Sequence, residues 1–292
     1  MKRYLKTIKS KEALAMMLER IKPIDRKEYL PAYKCRGRIS SKSVYANASN
    51  PPFMCAAMDG YAIDYNKTLQ ADLSNPVSLI KYSDAIAVNT GDPLPVGTNA
   101  VIMVEDIEDA DSRIIIRKPV YLWQNIRMIG EDIVEGDMLI PANHVITSFD
   151  IGMLISGGVT HIHVREKPKA VIIPTGGELI DPYDNAGAAT KIGGLIDFNS
   201  YTLFNLAEET GFECTISKIA GTKEELQDII EHAIKNNDVI LINAGSSAGS
   251  QDYTEEIIAG KGELIFHGIS MMPGKPAMFG IINTQPVFGI PG

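Results

Sequence analysis

Beyond residue 168 the sequence alternates short apolar runs with amphipathic segments, and that alternation leaves few folds open. KAVIIP reads as a strand. Residues 199–209 carry helical spacing and are closed by Gly211. FECTISKIA is a second strand, and the next helix opens on Thr222 and Glu225, the spacing of a capping box. Its Leu226, Ile229, Ile230, Ala233 and Ile234 form one apolar face. Residues 239–242 then give an unbroken apolar run of the kind buried on both faces of a parallel sheet. Strand and helix in alternation imply an open α/β sheet with right-handed crossovers, and such sheets bind ligands at the carboxyl ends of their strands.

Two loops therefore carry the expected chemistry. The first follows KAVIIP and holds Thr175, Gly176, Gly177 and Glu178. The second follows residues 239–243 as Gly245, Ser246, Ser247, Ala248, Gly249 and Ser250, and ends in Asp252 just before an expected helix. Small side chains let a ligand approach the backbone amides, which suit a phosphate, while a carboxylate suits a metal or a donor. An ordinary strand-to-helix turn has the same composition. Further on, Lys275 stands between Gly274 and Pro276 on a turn stiffened by Pro273 and Pro276, a presentation that suits a terminal phosphate or oxyanion as well as plain solvent. The sheet pattern stops at Pro291 and Gly292 where another helix is expected, so the chain reads as a fragment of a longer protein.

Upstream, Ser10 caps a helix in which Leu14, Met17, Leu18 and Ile21 recur, and Pro23 stops it. Residues 41–132 change to short alternating runs with prolines and glycines, a β texture whose clearest strand pair is SRIIIRKPVYLW. Two short strands follow Gly136. A helix then starts at Ser148 with Ile151, Leu154 and Ile155, closes at Gly157 and Gly158, and leads into the strand THIHV. The helices flanking the β stretch are expected to pack together. The fold class is thus α/β multidomain: a mixed α+β linker domain from residues 1–44 plus 133–167, an inserted β domain at 45–132, and an open three-layer α/β domain at 168–292, cut at its C-terminal end. His161 and His163 share a strand face, but no third ligand is evident, and they read as surface residues.

Composition removes several function classes. A net charge of -8 with no basic segment argues against nucleic acid as a partner. Three widely spaced cysteines fit a reducing compartment, and no CxxC pair suggests zinc. The N-terminus lacks a signal-peptide core and no run reaches the roughly 18 apolar residues of a membrane span, so no membrane role and a cytoplasmic location are expected.

PPFMCAAMDGYAID, TGDPLPVGTNAVIMVED, NIRMIGEDIVEGD, IIPTGGELIDP, INAGSSAGSQDY and MMPGKPAMFG occur in this order along the chain. In order and spacing they resemble the motifs of the molybdopterin molybdenumtransferase family, which includes MoeA and the gephyrin E domain. The resemblance implies a homodimeric enzyme that inserts molybdate into adenylyl-molybdopterin with release of AMP and with Mg²⁺ as cofactor. It also makes the molybdopterin adenylyltransferase a candidate partner. Asp59 is then a catalytic carboxylate facing the pterin pocket of the other subunit. Thr90 is implied to contact a phosphate or adenylate oxygen, and Asp132 a cation or substrate. Glu178 and Asp252 are implied to form the carboxylate pair that holds Mg²⁺. Thr175, Gly176, Gly245, Ser246, Ser247, Gly249, Pro273, Lys275 and Pro276 bind substrate. The chain departs from the family pattern at Met54 and Cys55, at Gly177, in AGSSAG, at Gly221 and Thr222, and at Met272. The alternative reading is a non-catalytic molybdopterin-binding or carrier paralogue that keeps the fold and the dimer.

Overall fold

The computed structural model describes residues 6–183, 194–244 and 248–291, with the side chains of residue 244 and of residues 248–252 outside that description. The chain divides into two compact units, residues 27–164 and residues 1–26 with 165–292.

The second of these is built on a six-stranded sheet. Its strand order is Glu213–Ile216, Lys169–Thr175, Val239–Ala244, Gln285–Pro291, Met278–Ile282 and Glu263–His267. The first four strands are mutually parallel, and only Met278–Ile282 runs against the rest. On one face, helices Lys223–Asn236 and Ala248–Lys261 cover Val171, Ile173, Ile240 and Ile242, and close a core with Leu226, Ile230, Ile257 and Ile258. The other face takes helix Asn199–Glu209, whose Ser200 is bonded by Asn243, the neighbour of inward-facing Ile242 on the alternate side of the strand. Three layers result, as the strand and helix alternation implies.

The N-terminal helix Ser10–Arg20 also belongs to this unit. Ala13 is fully buried with Phe266 and Phe279, and Met16, Met17 and Ile21 pack beside it, while Leu14 and Leu18 are 52% and 68% exposed. Its apolar face therefore meets the sheet of this unit, where the sequence led us to expect the helix Ser148–Ser156. An alanine at the contact lets the helix axis approach the phenylalanine rings.

The unit of residues 27–164 holds two three-stranded antiparallel sheets. One orders Ala85–Val88, Gly60–Ile63 and Ala100–Met103; the other orders Val77–Ile80, Arg113–Ile116 and Glu108–Ala110. Ile63, Ile102, Leu79, Ile114 and Ile116 fill the core they share. SRIIIRKPVYLW supplies one strand here, not a pair: Arg113–Ile116 is flanked by both neighbours, and the chain after Pro119 turns away, with Trp123 and Asn125 at positive φ. Helix Ser148–Ser156 starts on a capping box of Thr147 and Asp150, and its Leu154 is buried with Ile140, Ile146, Ile162 and Val164. Strand Lys27–Pro31 pairs with His161–Arg165.

Candidate functional site

In the α/β unit, Lys169–Thr175 connects outward to the edge strand Glu213–Ile216, whereas Val239–Ala244, its other neighbour, connects towards the opposite edge. A sheet reverses its winding between such a pair, and the crevice beyond their carboxyl ends is the general ligand position in open α/β folds. The two strands end in register, Thr175 opposite Ala244. Thr175 is buried and its hydroxyl donates to the carbonyl of Asn243 at 3.1 Å, so the two strand ends are tied together at the crevice floor.

Beyond Thr175 the chain turns through Gly176 at φ +142°, with Leu179 N donating to Gly176 O at 3.1 Å. Gly176 N in turn donates to Ala220 O at 3.0 Å. A Cβ at Gly176 would lie 3.0 Å from Glu178 Oε2, which places the half-buried Glu178 carboxylate directly over this glycine. No hydrogen bond or ion pair joins that carboxylate to another described side chain, so it is available as an acceptor beside Gly176. Glu225 adds a second carboxylate at this edge, but it is spent on the amides of Gly221 (2.8 Å) and Thr222 (3.2 Å) in the capping box.

Gly245, Ser246 and Ser247 lie outside the described residues. Helix Ala248–Lys261 begins at once after them, so Gly249 and Asp252 sit within a helix and not in a loop ahead of it. This corrects the sequence reading; the side chain of Asp252 is outside the description.

The hairpin 268–277 reaches the same edge, because Glu263–His267 runs parallel to the four strands and Met278–Ile282 starts where it ends. Gly268 N donates to Ala277 O and Ile269 N to Lys275 O, both at 2.9 Å, and a turn closes from Ala277 N to Gly274 O at 3.1 Å. Lys275 is thus held at a turn position between Gly274 and Pro276; it is exposed and forms no ion pair with a described residue. Pro273 is exposed and Pro276 half-buried beside it.

Two residues that sequence reasoning missed also belong to this edge. Asn243 is buried, and its Nδ2 donates to Ser200 Oγ at 3.3 Å while its Oδ1 has no partner among the described residues. His267 holds Glu255 through Nδ1 at 3.0 Å and leaves a buried Nε2 without a partner among the described residues. Only the fold could reveal them, since each matters through a partner brought up by another element. Nearby, Tyr201 donates to Asp181 at 2.9 Å, and burial together with that bond pushes its hydroxyl up to about 12.

In the other unit, Asp59 closes the turn before strand Gly60–Ile63. Its Oδ1 accepts from Thr90 N at 2.7 Å and from Thr90 Oγ1 at 2.8 Å. These two bonds hold the Asp59 carboxyl below the usual carboxylate range. The Thr90 hydroxyl, expected to reach a phosphate, is engaged within the protein. Asp132 is likewise engaged: its Oδ2 accepts from Arg127 at 2.5 Å and from Asn50 at 3.1 Å. His161 stacks on Tyr29 and His163 packs against it at a tilt, with ring centroids 5.4 and 4.7 Å away. Among the described residues no three His, Cys, Asp or Glu side chains gather as a metal cage. No helix among them is long and apolar enough to cross a membrane.

Comparison with known proteins covers both units. A family model described as the MoeA N-terminal region (domain I and II) matches residues 8–158, and one described as a probable molybdopterin binding domain matches residues 171–292. A putative molybdopterin biosynthesis protein of Methanocaldococcus jannaschii is 37% identical over 87% of this chain and 67% of its own length. The molybdopterin molybdenumtransferase of Haemophilus influenzae is 28% identical over 96% of this chain and 72% of its own. A crystal structure of the molybdopterin biosynthesis MoeA protein from Pyrococcus horikoshii superposes with a TM-score of 0.81 at 30% identity, covering 98% of this chain and 74% of that one.

Proposed function

The chain belongs to the MoeA family, and on that premise we propose that it inserts molybdate into adenylyl-molybdopterin and releases AMP. The observation that carries this reading is the crevice where the sheet reverses its winding, with Glu178 on one side and the Lys275 turn at the same edge. A phosphoanhydride calls for positioning and charge stabilisation more than for a protein nucleophile, and these groups supply both. Lys275 holds an anionic end of the substrate. The backbone at Thr175 and Gly176 admits the pterin or phosphate closely, and Gly245, Ser246, Ser247 and Gly249 bind substrate with them. Asp59 of one protomer acts as a carboxylate on the reacting group held in the pterin pocket of the other.

A divalent cation fits the donor set as far as it is described. Mg²⁺ is normally held by one or two carboxylates with substrate phosphates and water, so it needs no protein cage, and Glu178 with Asp252 would hold it. When bound it supplies neutralisation of the phosphate charge. In the intact protein, Glu178→Ala should raise the Mg²⁺ concentration needed for AMP release at least severalfold while leaving the fold unchanged by circular dichroism. An unaltered Mg²⁺ dependence would remove Glu178 from the cation site.

The same reading carries a cytoplasmic homodimer, which light scattering should report as the mass of two chains, and the molybdopterin adenylyltransferase as the supplier of substrate. Residues 45–132 serve as the inserted β domain, 168–292 as the pterin-holding domain, and 1–44 with 133–167 as the linker, whose first helix Ser10–Arg20 packs into the α/β unit. A second reading, a carrier that binds the pterin without inserting metal, is favoured by Met272, 88% exposed on the hairpin where the family places a lysine.

A further inference from the structure

The turn at residues 89–92 has no task in the reading above, yet it is among the most fully bonded pieces of the β unit. Asp92 N donates to Asn89 O at 3.0 Å, and Gly91 takes φ +90° at the third position, as a type II turn requires. Asp92 Oδ2 accepts from Asn89 N at 2.7 Å and from Asn89 Nδ2 at 3.3 Å, locking the first residue of the turn to the last. The turn is also stitched to strand Cys55–Ala56. Gly91 N donates to Ala56 O at 2.8 Å, and Ala56 N to Asp92 O at 3.0 Å. Asp59 lies three residues beyond Ala56, so the same bonds fix the height of the turn relative to it.

The second residue of a β-turn has an amide that the turn itself does not use. Here that residue is Thr90, and both its amide and its hydroxyl meet the same oxygen, Asp59 Oδ1. Asp59 is exposed, and an exposed aspartate ordinarily samples several rotamers. Two donors on one oxygen stop that rotation. Oδ2 of this exposed residue accepts from no described residue.

We propose that Thr90 and Asp92 are positioning residues that clamp Asp59, Thr90 by binding Oδ1 and Asp92 by fixing the turn, so that Oδ2 is presented in one orientation to a hydrogen-bond donor of the substrate or to a water. This rests on the reading of Asp59 as a catalytic carboxylate. It replaces the expected phosphate contact of Thr90 with a role inside the protein. The clamp also keeps Asp59 ionised, through the two Thr90 bonds and with no charged side chain among the causes. The acidic groups on the adjoining elements are Asp92 on the turn and Glu105 and Asp106 on the single turn Val104–Asp106. Asp59 therefore orients a donor and does not supply a proton. Pre-organisation of this kind acts on the rate of the bound complex more than on binding.

The test compares Thr90→Val, Thr90→Ser, Asp92→Ala and Asp59→Asn in the intact protein, reading AMP release together with the Asp59 carboxyl by ¹³C NMR titration. Thr90→Val should lower kcat by about tenfold or more with KM within about twofold, and Asp92→Ala should lower it in the same sense. Thr90→Ser keeps both donors and should restore most of the loss. The Asp59 titration midpoint should rise in Thr90→Val and Asp92→Ala and stay in place in Thr90→Ser. Wild-type kcat and an unmoved midpoint in folded Thr90→Val, with Asp59→Asn inactive, overturn the clamp and leave the catalytic reading standing. Full activity of Asp59→Asn overturns the catalytic reading instead, and the midpoint alone then decides whether the clamp exists. Should Asp92→Ala fail to fold, the Thr90 pair carries the test.

Discussion

Arg26 and Asp238 show how single side chains fasten the α/β unit at the end opposite the crevice. The guanidinium meets both Asp238 oxygens, at 2.9 and 2.7 Å, and reaches Glu166 at 2.9 Å, while Lys169 N donates to Asp238 at 2.8 Å. The Arg26 bond holds the Asp238 carboxyl below its ordinary value, and Asp238 holds the guanidinium well above its own. A carboxylate lowered in the folded state stabilises it fully above the unfolded value, about 3.9, and that stability is lost as pH falls through the folded value. Asp238→Asn should therefore cost about 2 kcal/mol at pH 7, as for a charge-assisted hydrogen bond. Its deficit in urea denaturation should shrink below about pH 4; a deficit independent of pH would assign the cost to packing. Neither Arg26 nor Asp92 could be picked out of the sequence, because each acts on a residue that only the fold brings near. Asp59, Glu178 and Lys275 were singled out instead through motifs whose residues are local in the sequence.

At the scale of elements, the glycine after Asp59 is what seats the β strands. A Cβ on Gly60 would lie 1.9 Å from Ile102 O in the adjacent strand Ala100–Met103, and backbone cannot yield as a side-chain tip does. Gly60→Ala should destabilise the protein by about 3 kcal/mol, the size of a serious core overpacking, and should disorder Asp59 with it. A denaturation midpoint unchanged from wild type would show that the strands separate freely. The elements whose signals are local were readable from residues alone: Asn199–Glu209 has its spacing and a closing glycine, and Lys223–Asn236 has its capping box. Where the reading slipped, propensity misled it. Gly249 and Ser250 are poor helix formers, yet they sit in the first turn of Ala248–Lys261. In SRIIIRKPVYLW the apolar content was strand-like, but Pro119 supplies no donor for a second ladder.

For the whole molecule, the order of six motifs fixed the family, and the family models and the α/β sheet agree with it. Pairing of the strands into the order that makes the crevice was not readable, since it depends on which edges meet and not on any one segment. What the fold alone leaves between enzyme and carrier is decided by chemistry. The most direct measurement gives the intact protein adenylyl-molybdopterin and Mg²⁺, then adds molybdate and follows AMP together with active cofactor, scored by reconstitution of a molybdenum-free apoenzyme. The account predicts AMP released in proportion to cofactor formed, with both dependent on molybdate. Stoichiometric binding of adenylyl-molybdopterin with no AMP above the protein-free control would contradict it.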